Sequence, residues 1–196
     1  MANLIKKRGW VLLIVILPLF SFSQKLSPKS EQVKAAWEAL SKQPDSKQLQ
    51  LAYLKTFPSN KRNFIAVFAP DNFKQLYDNS HVYIESFAGL AKQYPTEVID
   101  KSVNIGKDLK WDADAIGDLQ HAIVEMGIGN TVIFSKKLKS LTAIQQSHLA
   151  IFLADEEGIK HDRTYQELID ALTKIGEKSL ASKFEIARTD REKEKE

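Results

Sequence analysis

Apolar residues three and four positions apart recur from Val33 to Phe184 of this 196-residue chain. That spacing commits it to helices that bury one face against each other. The first stripe is Val33, Ala36, Trp37 and Leu40, opened by Ser27-Pro28 and stopped by Pro44. A serine N-cap followed by proline at the first helical position is a start signal. Asp45 with Gln48 reads as a capping box for a segment carrying Leu49, Leu51, Ala52, Tyr53 and Leu54. Phe57-Pro58-Ser59 closes that helix and caps a third through Phe64, Ile65, Val67 and Phe68. Pro70-Asp71-Asn72 breaks the pattern ahead of a short turn through Phe73, Leu76 and Tyr77, and the next stripe is Tyr83, Ile84, Phe87, Leu90, Ala91 and Tyr94.

The pattern continues in the second half. Tyr94-Pro95-Thr96 starts a helix with Val98, Ile99 and Val103. Asp112 caps another whose inner face is Ile116, Leu119, Ile123 and Met126, ended by Gly127-Ile128-Gly129-Asn130. Thr131 to Phe134 is β-branched and aromatic. A lone strand without a partner is unstable, so a short helix is expected there. Thr142 with Gln145 and Thr164 with Glu167 have capping-box spacing. Tyr165, Leu168, Leu172, Ile175, Leu180 and Phe184 read as one last helix of about 24 residues, roughly 36 Å long. The fold class is all-α: an irregular multi-helix bundle of about eight or nine helices. The echo of Phe57-Pro58-Ser59 in Tyr94-Pro95-Thr96 makes a solenoid the alternative.

Ahead of these helices, Lys6, Lys7 and Arg8 precede an apolar run from Trp10 to Phe20 and the small-residue pattern Ser21-Phe22-Ser23. This is the order of a secretory signal peptide. The run is about half the roughly 20 residues a membrane-crossing helix needs, so cleavage after Ser23 is expected, with no permanent membrane anchor. The domain organisation follows: 1–23 signal peptide, 24–187 a single all-α domain, 188–196 a charged flexible tail without an apolar residue. The expected location is periplasmic or secreted. The chain has 28 Lys and Arg against 25 Asp and Glu, and the three excess cations are Lys6, Lys7 and Arg8. A chain starting at Gln24 is therefore formally neutral, which argues against nucleic acid as a partner. Cysteine is absent, so neither disulfides nor a thiol nucleophile are available, and side-chain burial alone must hold the fold.

Asp114, Asp118, His121 and Glu125 fall at i, i+4, i+7 and i+11, on one face of a helix. Such oxygen and imidazole ligands are a candidate metal site. The apolar stripe opposite supports the plainer reading, a solvated side of an amphipathic helix. Asp155-Glu156-Glu157-Gly158 with His161-Asp162 lacks the alternating ligands of a calcium loop and reads as a charged interhelix loop. His148, spaced with Leu141, Ile144, Ile151 and Phe152, reads as a hydrogen-bonded core histidine. His81 lies near a helix start with no recognisable partner. Phe57, Phe64, Phe68, Phe73, Tyr77, Tyr83, Phe87 and Tyr94 crowd one region and are expected to be mostly core. No nucleophile elbow, phosphate-cradling loop or dinucleotide fingerprint is present.

From Phe57 to Gln120 the chain resembles a group of uncharacterised exported helical proteins of Gram-negative bacteria. The matching residues are Phe57-Pro58-Ser59, Phe64, Phe68, Leu76-Tyr77-Asp78, Tyr83-Ile84, Phe87 and Lys110-Trp111-Asp112-Ala113-Asp114. The resemblance implies a helical fold and export, with no activity or site residues to carry over. The expected function is binding of another protein without catalysis or cofactor, as an inhibitor or immunity protein would do. The alternatives are a metal-dependent hydrolase using Asp114, Asp118, His121 and Glu125, or a small-molecule or lipid carrier.

Overall fold

In the computed structural model, residues 26–68, 76–110, 114–155 and 159–194 are described. The signal-peptide segment 1–23, the Pro70-Asp71-Asn72 break, Phe73, the Asp112 cap and Glu156-Glu157-Gly158 lie outside them. The described residues form ten α-helices: α1 Pro28–Lys42, α2 Lys47–Thr56, α3 Lys61–Phe68, α4 Ser80–Gly89, α5 Pro95–Gly106, α6 Ala115–Gly129, α7 Thr131–Lys139, α8 Ala143–Ala154, α9 Ile159–Lys174 and α10 Lys178–Glu194. A 3-10 turn, Leu90–Lys92, extends α4. No strand occurs among the described residues, and Thr131 to Phe134 lie in α7.

Several helix starts follow from local chemistry. The Ser27 hydroxyl accepts from the Ser30 N–H at 3.2 Å and Pro28 occupies the first turn of α1. Thr142 and Gln145 make the reciprocal capping box of α8, at 3.2 and 3.1 Å. Other starts differ from the sequence reading. Ser46, not Asp45, caps α2 through the Leu49 N–H. Asn60, not Ser59, accepts from the Asn63 N–H at the head of α3. Thr164 sits inside α9, because that helix already begins at Ile159.

The long final helix is two helices. Gly176 adopts φ +84°, and the Gly176 N–H donates to the Thr173 carbonyl while the Glu177 N–H reaches back to Leu172 at 2.9 Å. This is a Schellman termination, in which a left-handed residue satisfies the last carbonyls of a helix. Glycine takes that conformation without steric cost. The 3–4 spacing survives the break because both pieces bury their stripes in the same core, through Tyr165, Leu168 and Leu172 on α9 and Leu180 and Phe184 on α10. α10 also continues to Glu194, past the composition boundary at Arg188. The Arg188 guanidinium donates to Gln166 of α9 and to Glu185.

The buried side chains make one continuous cluster. α6 lies at its centre and packs against α4, α5, α7, α8 and α9. The main contacts join helices no more than three apart in chain order. α4, α6, α8 and α10 follow one another on one side and α3, α5, α7 and α9 on the other, so the packing keeps the neighbour-to-neighbour order that a solenoid-like bundle has. Its N-terminal side is aromatic: Phe57 stacks on Phe87 with ring centroids 3.8 Å apart, and Phe68 packs against Phe57, Phe64 and Tyr83. The buried Tyr53 hydroxyl donates to the Tyr83 carbonyl at 2.7 Å, tying α2 to α4. Phe57, Phe64, Phe68, Tyr83 and Phe87 are therefore core, whereas Tyr77 and Tyr94 are only partly buried.

Candidate functional site

The four-residue face of α6 lies along the seam with α4, and its members are engaged separately. Asp114 precedes the helix at φ +59°, and the Tyr77 hydroxyl donates to its carboxylate. Asp118, half-buried, accepts from the Ser80 hydroxyl of α4 at 3.3 Å. His121 and Glu125 pair with each other on α6 at 3.0 Å. Burial raises the Asp118 pKa above the ordinary carboxylate value. The Ser80 hydrogen bond and the nearby His81 pull it back, while Glu85 and Asp114 push it up. Among the described residues, no group of three or more His, Asp or Glu side chains converges to hold a metal ion. The i, i+4, i+7, i+11 spacing aligns side chains along some 16 Å of axis, too far for one ion without ligands from a second element.

The expected solvated side of α6 is also corrected. Asp114 and Glu125 are exposed, but Asp118 and His121 are partly covered. Beyond the predicted stripe, Ala115, Ala122 and Val124 are buried as well. A helix that is apolar nearly all round belongs inside, and α6 is there. Its one fully buried amide, Gln120, donates to the Phe152 carbonyl at 2.6 Å, binding the centre of α6 to the last turn of α8.

The second departure is on α8. His148 is exposed, and so are two of the four residues expected around it in the core, Ile144 at 69% and Ile151 at 55% accessible, while Phe152 is buried and Leu141 packs against the core. The inward face consists instead of Leu149, Ala150, Phe152, Leu153 and Ala154. Both faces of α8 are apolar, so spacing alone could not choose between them. The inward side is the one that packs on α5, α6, α9 and α10. The Tyr165 hydroxyl of α9 donates to Ala150 and Phe184 carbonyls, at 3.2 and 3.0 Å, holding α8 and α10 together.

The outward face of α8 is unusual in composition. Charged residues are 27% of the chain, yet the twelve residues of α8 include no Asp, Glu, Lys or Arg. Among the described helices it alone has none. The other exposed large apolar side chains, Leu51, Val132, Ile175 and Ile186, stand singly beside charged neighbours. An open groove elsewhere, lined by Asn60, Lys61, Arg62, Ile65 and Asp108, faces broadly to solvent, and Asp108 is paired with Lys107 at 2.5 Å.

No family model, curated protein or solved structure matches the chain.

Proposed function

We propose that this chain is an exported helical protein that acts by binding another protein rather than by catalysis, with the outward face of α8 as its contact surface. One observation carries this reading: a fully formed surface helix without a single charge, exposing Ile144, His148 and Ile151 in one stripe. Water-facing helices normally carry charged residues on their outer side. The centres of protein–protein contacts are depleted in them. The export half of the proposal rests on Lys6, Lys7, Arg8, the Trp10 to Phe20 run and Ser21-Phe22-Ser23, and places the working protein in the periplasm or outside the cell.

The test is comparative capture from cell-envelope extract with wild type and an Ile144→Lys/Ile151→Lys variant. A protein held in stoichiometric amount by wild type (a further copy of the chain included) and lost by the variant supports the reading. Equal capture by both, or none by either, overturns it. The intact mass of the envelope form tests export, with a start at Gln24 expected and a start at Met1 counting against it.

A further inference from the structure

Resting on the protein-binding reading, we infer that the partner presents a cationic, amphipathic segment, its basic side over the seam of α4 and α6 and its apolar side on α8. The distribution of charge carries this. The chain has 28 Lys and Arg, yet α4, α6 and α8 hold none, and they are the only described helices without one. These three also pack in succession, α4 on α6 and α6 on α8, with α5, α7 and α9 behind α6. What they leave accessible therefore lies on one side of that layer. Over α4 and α6 it is acidic: Glu85, Asp114 and Glu125 are exposed and Asp118 is partly covered. Among the described residues none of these four carboxylates is paired with a lysine or arginine. Beside them on α8 stand Ile144 and Ile151, with no charge of either sign along that helix.

A surface from which one sign of charge is excluded across three helices favours a partner carrying that sign. An anionic membrane or a nucleic acid is repelled by the same carboxylates. A second copy docked face to face sets acidic side against acidic side. Packed helices lie about 8–10 Å apart, close to the width of one helix with its side chains. A single segment resting in the α6–α8 joint therefore reaches both strips at once. The contact is smaller than the roughly 800 Å² per partner of a stable complex. Binding is accordingly weak, on the order of 10 µM at low salt, and falls as salt screens it.

The probe is a synthetic helix of about 14 residues, roughly 21 Å long, with lysine along one side and leucine along the other. Fluorescence anisotropy compares it with its glutamate-for-lysine counterpart. Wild type should bind the lysine peptide and not the glutamate one. Glu85→Lys/Glu125→Lys, at two exposed positions, should weaken binding about tenfold, and Ile144→Ser/Ile151→Ser should weaken it several-fold. Glu31→Lys/Glu97→Lys makes the same change of net charge at exposed positions elsewhere and should leave affinity within about twofold. No binding by wild type, or equal losses in the two glutamate pairs, overturns the inference. Envelope capture separates it from the reading on which it rests. A captured protein lost with Ile144→Lys/Ile151→Lys yet kept with Glu85→Lys/Glu125→Lys, or a captured second copy, overturns the cationic partner and leaves protein binding standing. If wild type binds neither peptide nor envelope protein, both fail.

Discussion

α6 and α8 both carry apolar residues on more than one side, and their fates differ. Five other helices surround α6, and its departures from apolar character are either hydrogen-bonded inside, as Gln120 is to Phe152, or turned to the α4 seam, as Asp118 is. α8 is covered on the side that carries Leu149, Phe152 and Leu153 and leaves Ile144 and Ile151 in water. Equal hydrophobicity therefore does not imply equal burial. α6 has neighbours along most of its surface, whereas α8 keeps a second apolar face, with Ile144 and Ile151, in water.

The sharpest test of the comparison is truncation at its centre. Leu119→Ala empties a site that is 0% accessible on α6 and should cost about 2–5 kcal/mol in urea unfolding; a loss under about 1 kcal/mol would deny α6 its central place. Next in size is Tyr165→Phe, which removes the hydroxyl bridging Ala150 and Phe184 carbonyls. It should cost about 1–2 kcal/mol, and an unchanged midpoint would show that the inner face of α8 does not depend on the bridge.

Asp118 tests the seam through pH. Its folded-state pKa is raised above the ordinary value, mainly by burial. A carboxyl raised in this way favours folding most when protonated, and that contribution is lost as pH rises through the folded pKa. Wild type should therefore lose stability relative to Asp118→Asn as pH climbs from the ordinary carboxylate range toward neutral. Parallel unfolding curves for the two proteins across that window would remove the argument that α4 desolvates this group.

The smallest effect is expected on the bare face. Ile151→Lys replaces a 55% accessible side chain and should change monomer stability by no more than about 0.5 kcal/mol, measured at low protein concentration. A loss of several kcal/mol would mean that the outward side of α8 is core after all.

Much of the secondary structure was legible before any coordinates. The Ser27-Pro28 start and the Thr142–Gln145 box are local events, settled by hydrogen bonds within a turn, and Pro95 opens α5 through its fixed φ without a side-chain cap. Thr131 to Phe134 are helical, with no strand partner among the described residues. Where the reading missed, the deciding partner was remote or the pattern was degenerate. The α9–α10 break was hidden because Gly176 interrupts the backbone without interrupting the apolar rhythm. The candidate metal residues shared a face as expected, but Tyr77 and Ser80, brought over from 37 and 38 residues away, divide them.

Linear pattern alone determined that this cysteine-free chain is helical and roughly where most of its helices begin, because caps and 3.6-residue periodicity act over a few residues. Only the packed structure decided which side of α8 faces inward and that α6 stands at the centre. A helix with apolar residues on both sides has no preferred orientation of its own. The choice falls to the neighbours that bury the larger set, here Leu149, Phe152 and Leu153, and Ile144 and Ile151 are left outside.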